Sequence, residues 1–142
     1  MQRFQITKAA ELESLKTFRD FIAESCAKYK IPADTVYDLK LAVDEACTNI
    51  IQHGYKGMIP GSIILSFRIE QDRILVQITD FGHIFEPVNA PKPNIEAALE
   101  DRELGGLGLF LIYQTMDNID YKCSEEGNVL TFTKYIKYKY RD

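Results

Sequence analysis

The order of hydrophobic periods along this 142-residue chain predicts an α+β domain, a two-layer α/β sandwich with helices packed on one face of a mainly antiparallel, mixed sheet. Three observations predict it. Two stretches with apolar residues three and four apart come first, and two strictly alternating stretches follow. After a long irregular segment, one more helical stretch leads into two further alternating ones. With 46% hydrophobic residues the chain can bury one core, so residues 1–142 read as a single domain.

Phe4 to Thr7 reads as a short first strand. The Thr7 hydroxyl is placed to cap a helix running to about Lys28, on which Leu12, Leu15, Phe18, Ile22 and Cys26 form one apolar stripe. Pro32 suits the first turn of a second helix, where a missing N–H costs nothing. Val36, Leu39, Val43, Ala46, Cys47 and Ile50 share one face of it, and Gly54 is a candidate C-cap. Ile63, Leu65, Phe67 and Ile69 then alternate, Gln71 and Asp72 turn, and Ile74, Val76 and Ile78 alternate in a strand ending at Asp80. Residues 81–106 hold Pro87, Pro91 and Pro93 with several glycines. So long an irregular excursion is usually functional, and about 85–104 reads as a lid. A third helix is expected from about Leu107 to Met116. Strands Ile119–Cys123 and Val129–Tyr138, joined by the turn SEEGN, complete the chain.

The charge balance, 17 basic against 21 acidic residues, argues against a general nucleic-acid binder. No signal-peptide pattern opens the chain and no apolar run approaches the roughly 20 residues that span a bilayer, so a soluble cytoplasmic protein is expected. Cys26, Cys47 and Cys123 are odd in number and widely spaced, which suits buried thiols rather than disulfides or a metal motif. The tail interleaves Lys134, Lys137, Lys139 and Arg141 with Tyr135, Tyr138 and Tyr140. It reads as an edge strand whose solvated lysines discourage pairing, or alternatively as a partner contact.

Three constellations carry possible chemistry. Glu45 and Asn49 are four apart on the second helix, beside its apolar stripe, and His53 continues the line. A carboxylate there can take a proton and an amide oxygen can ligand a hard cation, although the same pair also suits an ordinary solvated face. Asp80 with Gly82 puts a fixed acceptor at a strand end, suited to an exocyclic amine or to a plain Asx turn. Gly105-Gly106-Leu107-Gly108 leads into an apolar helix, where backbone N–H groups can approach phosphate oxygens. It lacks the GK[ST] ending of a Walker loop and has no preceding strand as in a dinucleotide fingerprint.

Taken in order, these segments resemble the GHKL ATPase and kinase superfamily with its Bergerat-type ATP-binding fold. More narrowly, they resemble the bacterial anti-sigma factor serine/threonine-protein kinases. DEACTNIIQHGY (44–55), DFGHIFEP (80–87) and RELGGLGLFLI (102–112) carry the resemblance, which covers about residues 8–136. It implies that Asn49 coordinates Mg²⁺ on the ATP phosphates, that Glu45 is the general base, and that His53 lies near the phosphates. It further implies that Asp80 binds the adenine amine, Gly82 leaves room for the base, and Gly105, Gly106, Leu107 and Gly108 line the triphosphate. Arg102 would offset charge on the transferred phosphoryl group, and Thr131 would touch adenine indirectly. Ile84 stands where the wider superfamily often has a second glycine. The implied function is phosphorylation of a STAS-type anti-anti-sigma protein and sequestration of a sigma factor, by a homodimer. Two alternatives stay open: a nucleotide-dependent adaptor without phosphotransfer, and a kinase of this type with a non-sigma output.

Overall fold

The structure, a computed structural model, describes residues 2–83, 112 and 114–136. Strand β1 (Gln2–Ala9) leads to helices α1 (Ser14–Ala27) and α2 (Ala33–Asn49), and α2 runs on into a π-helical turn, Ile50–Gly54. Strands β2 (Ser62–Glu70), β3 (Arg73–Asp80), β4 (Asn118–Ser124) and β5 (Gly127–Tyr135) follow. The sheet order is β1-β2-β3-β5-β4, and every pairing among the described residues is antiparallel, so the parallel component expected of a mixed sheet is absent from them. Two tight hairpins account for much of this. Gln71 and Asp72 join β2 to β3, and Glu125 and Glu126 join β4 to β5, because two-residue turns can only reverse the chain.

Cross-strand register puts the core on one face. Phe4, Phe67, Val76, Phe132 and Ile119 form a single row across all five strands. Phe67, Val76 and Phe132 in this row are fully buried. Phe18, Ile22 and Cys26 of α1 and Leu39, Val43 and Cys47 of α2 are buried in the same core. Phe4, Tyr29 and Phe67 hold one end, with ring centroids 6.3–6.4 Å apart, an arrangement that adds to simple area burial. An Arg19–Asp44 ion pair at 2.6 Å ties α1 to α2. The opposite face of the sheet carries Ser66, Arg68, Gln77 and Thr131, and none of the described helices covers it.

Several local expectations change. Thr7 does not cap a helix: it lies exposed in β1, paired with Ile64, because Phe4 and Ile6 extend the sheet in full register. Helix α1 starts seven residues later at Ser14, and Leu12, 57% exposed, falls outside its stripe. Gly54 ends the π-turn without the positive φ of a capping glycine, since the positive-φ glycines among the described residues are Gly57 and Gly127. Strand β5 is not an edge, because β4 flanks it. Lys134 is accordingly not solvated but pairs with Asp38 at 3.6 Å and donates to the Thr115 carbonyl. Cys26 and Cys47 are buried as expected, whereas Cys123 is exposed near the end of β4. Burial pushes the Cys26 thiol up to about 12 and raises the Cys47 thiol as well, which disfavours the thiolate at both. The expected lid, the start of the third helix and residues 137–142 lie outside the described residues. Ile112, Gln114 and Thr115 are helical.

Phe67 is the hub of both the aromatic cluster and the cross-strand row. Phe67→Ala is expected to cost about 3–5 kcal/mol in urea unfolding. A loss under about 1 kcal/mol would mean that the site collapses freely and that this row is not the centre of the core.

Candidate functional site

Helix α2 delivers the first half of the site. Its apolar face is buried through Leu39, Val43, Ala46 and Cys47, so the adjoining row points into the margin of the core. Glu45 lies there half-buried and Asn49, one turn on, is only 3% exposed. Burial raises the Glu45 carboxyl above its ordinary value, and the neighbouring Asp44 charge adds to the effect. The Asn49 side-chain nitrogen is buried without a hydrogen-bond partner among the described residues. Such a group costs about 1–3 kcal/mol if nothing satisfies it.

The π-turn then alters the helical row. The Tyr55 N–H donates to the Ile50 carbonyl five residues back, at 3.3 Å. An i→i+5 turn brings position 54 rather than 53 under Asn49. His53 is thereby offset from the Glu45–Asn49 line and sits half-buried in the turn, while Gly54 meets the end of β3.

That strand end is the second half. Asp80 is the inward-facing last residue of β3, 5% exposed. Its Oδ1 accepts from the Gly82 N–H at 2.9 Å and from Asn128 Nδ2 at 3.1 Å, and Oδ2 takes no hydrogen bond among the described residues. Burial raises the Asp80 carboxyl, and these two donors oppose that rise. Gly82 presses on Gly54 so closely that a Cβ there would lie 2.3 Å from the Gly54 carbonyl oxygen. The His83 N–H donates to that same oxygen at 2.5 Å. Tyr55 completes the junction: its buried hydroxyl donates to the Ser62 carbonyl at 2.8 Å and accepts from the Phe81 N–H at 2.9 Å.

Of the expected site residues, the structure gathers Asp80 and Gly82 against the end of the helical segment that bears Glu45, Asn49 and His53. Thr131 is not brought to them. It pairs with Gln77, accepting from its amide at 3.3 Å, on the face of the sheet away from Asp80. It lies three positions after Asn128, an odd offset, so pleating turns it outward. Arg102, Gly105, Gly106, Leu107 and Gly108 lie outside the described residues. Sequence reasoning missed Asn128, Tyr55 and the Gly54 contact. Asn128 left one signal, as a polar residue in the inward set Asn128, Leu130, Phe132 of an otherwise apolar alternation.

A family model described as a histidine kinase-like ATPase domain matches residues 8–134. The chain belongs to this family. Within it, the chain is similar to the serine-protein kinase RsbW of Halalkalibacterium halodurans, 32% identical over 96% of this chain and 85% of the relative. It is similar also to the serine-protein kinase RsbW of Bacillus cereus, 33% identical over 96% of this chain and 89% of that protein. Among solved structures, the RsbU and RsbW domains of a Mycobacterium tuberculosis protein share the fold with a TM-score of 0.71 at 16% identity, over 99% of this chain and 34% of that one. A chain of the SiaB-SiaC complex from Pseudomonas aeruginosa shares the fold with a TM-score of 0.63 at 14% identity, over 94% of this chain and 88% of that one. In this histidine kinase-like ATPase the two halves of the site divide by chemistry. One is a hydrogen-bonded acceptor knot at Asp80, the other a carboxyl and an uncommitted amide at Glu45 and Asn49.

Two consequences are measurable without any ligand. Gly82→Ala is expected to cost about 1–3 kcal/mol, because the obstacle is rigid backbone. Amide exchange at His83 should accelerate with it, and an unchanged exchange rate would show that the close approach to Gly54 is not needed. Ionising the buried Asp80 opposes folding, so its carboxyl favours the folded state only while protonated and loses that contribution as pH rises through its raised value. Asp80→Asn should therefore raise Tm at pH 7 by about 4 °C, on the order of 1 kcal/mol. The gain should shrink as pH falls towards about 4. A Tm at pH 7 equal to or below that of the unaltered protein would contradict this sign.

Proposed function

We propose that this protein is an ATP-dependent serine/threonine kinase that phosphorylates a STAS-type anti-anti-sigma protein and sequesters a sigma factor, working in the cytoplasm as a homodimer with Mg²⁺-ATP. The observation that carries the reading is the buried, uncommitted amide of Asn49 one turn after a carboxyl whose proton affinity is raised. The similarity to serine-protein kinases named RsbW supports the same reading.

The residues fit the metal. No group of three or more His, Cys, Asp or Glu that could hold an ion occurs among the described residues. A dedicated protein cage is thus not on offer, and Mg²⁺ is commonly held by one or two protein oxygens, waters and substrate phosphates. Rotating the Asn49 amide presents its oxygen where its nitrogen now lacks a partner. Bound there, the ion would neutralise charge on the phosphates.

The chain's own groups account for the remainder. Asp80 accepts the exocyclic amine of adenine through the oxygen that the knot leaves open. Glu45 accepts the proton of the incoming serine hydroxyl, whose oxygen forms a bond to the γ-phosphorus as the bond to the bridging oxygen breaks and ADP departs. A carboxylate of raised basicity is suited to that proton transfer. Gly105, Gly106, Leu107 and Gly108 cradle the triphosphate with Arg102 beside them, as the resemblance implies.

Calorimetric titration with ATP, with and without Mg²⁺, combined with phosphotransfer to a STAS-type partner, tests this. Glu45→Gln should slow phosphotransfer by about 100-fold or more while leaving ATP affinity nearly unchanged. Asn49→Ala should abolish the Mg²⁺ dependence of binding. Undiminished phosphotransfer in Glu45→Gln would remove the base assignment, and Mg²⁺-dependent binding that survives Asn49→Ala would remove the metal assignment.

A further inference from the structure

Asn128 belongs to neither glycine-bearing loop nor to α2, and it enters the site from β5. It is 3% exposed. Its Nδ2 donates to Asp80 Oδ1 at 3.1 Å and to the Gly82 carbonyl at 3.0 Å, spanning the strand end and the loop that follows it. The register places it directly opposite Asp80 on the inward face. Leu130 and Phe132, the next inward residues of β5, are apolar. A buried amide in an apolar row persists where its hydrogen bonds are made, and both N–H groups of Asn128 are used.

We propose that Asn128 is the positioning residue of the base pocket, locking the Asp80 carboxylate through Oδ1 so that Oδ2 alone meets the nucleotide and admits an exocyclic amine while rejecting a carbonyl. This deepens the reading of Asp80 as the acceptor for adenine and rests on it. Selection follows because a fixed, ionised acceptor meets an amine on adenine but a carbonyl oxygen at the corresponding position of guanine. Two acceptors facing each other in a desolvated site repel. A carboxylate free to rotate or to take up a proton loses that discrimination. Among the described residues, the titratable groups that feel the Asp80 charge are the Cys47 thiol of α2 and the Tyr55 phenol, both raised and so neutral at pH 7. No charged side chain contributes at Asp80 itself. The neutral donors Asn128 and Gly82 are thus what holds its charge in place.

The test is the ratio of ATP to GTP affinity, measured by calorimetry between pH 6 and 8 for the unaltered protein, Asn128→Asp and Asn128→Leu. The triphosphates are identical, so protonation of phosphate cancels in the ratio. Asn128→Asp keeps the shape but replaces the donor with a second carboxyl. It should lower the ratio at pH 8 by about tenfold or more, and the ratio should recover as pH falls, because a proton shared between the two carboxyls restores a donor. Asn128→Leu should lower the ratio at every pH, with GTP affinity little changed, whereas a general loss of folding would lower both affinities together. A ratio at pH 8 that survives Asn128→Asp would overturn the inference even though ATP binds. If the unaltered protein binds neither nucleotide, the reading of the site itself falls, and the role of Asn128 with it.

Discussion

A carboxylate buried at the end of a strand is stable only where fixed donors replace the water it has lost. Asp80 is such a carboxylate, and the geometry around it follows from that need. One donor must come from its own chain two residues later, which forces the tight turn to Gly82. The other must come across the sheet, which requires a polar inward residue at position 128 of β5. The turn in turn brings Gly82 onto Gly54, so neither the register of β5 nor the end of the helical segment is free to shift without exposing or orphaning the charge.

The π-turn makes this contact possible. Continued as a regular α-helix, α2 would keep position 53 under Asn49. The wider turn instead brings Gly54 there, with its carbonyl bonded by His83 and approached so closely by position 82 that only glycine, with no Cβ, fits at 82. Tyr55 then locks the far side by bonding Ser62 and Phe81 together. A side chain added at Gly61 would meet its hydroxyl at 2.9 Å, so the chain leaving the turn is held as firmly as the loop below it. An extra residue in one helical turn thus connects the helix bearing Glu45 and Asn49 to the strand bearing Asp80. π-turns recur at functional sites for this kind of reason.

The layered α+β architecture was legible because the hydrophobic period changes sharply at Ser62, and the strand ends at Asp80 and near Gly127 were legible from turn residues. Glu45, Asn49, Asp80 and Gly82 were legible as spaced motifs. What the sequence hid were choices made by tertiary contact. Thr7 has a capping hydroxyl, yet the pairing of Phe4 and Ile6 with β2 outweighs it. Lys134 looks like a solvated edge charge until β4 covers its flank and Asp38 faces it. The parity of β5 decides that Asn128 faces the site and Thr131 does not, and parity is fixed by the hairpin, not by either residue's chemistry. The π-turn leaves no composition signal in IIQHG, and the residue its Gly54 meets, Gly82, is distant in sequence.

The two halves of the site differ in how finished they are. At the Asp80 end the carbonyls of Gly54 and Gly82, the amides of Gly82 and His83 and the side chains of Tyr55 and Asn128 all have partners within the protein. At the α2 end Asn49 has a buried nitrogen with none, and Glu45 carries a carboxyl held above its usual proton affinity by burial and by Asp44. A pre-satisfied pocket binds without reorganising, so it can discriminate between bases at little entropic cost. A set of groups left unsatisfied gains more from an incoming charged ligand than from any protein contact. Burying those groups in advance therefore lowers the stability of the free protein in favour of the complex. On the proposed reading this division puts selectivity on the sheet end and reactivity on the helix end, and the two are joined through the Gly54–Gly82 contact, the His83–Gly54 hydrogen bond and the Tyr55–Phe81 hydrogen bond. A disturbance at the Gly54–Gly82 contact therefore reaches both ends, because Gly82 also donates to Asp80 and accepts from Asn128.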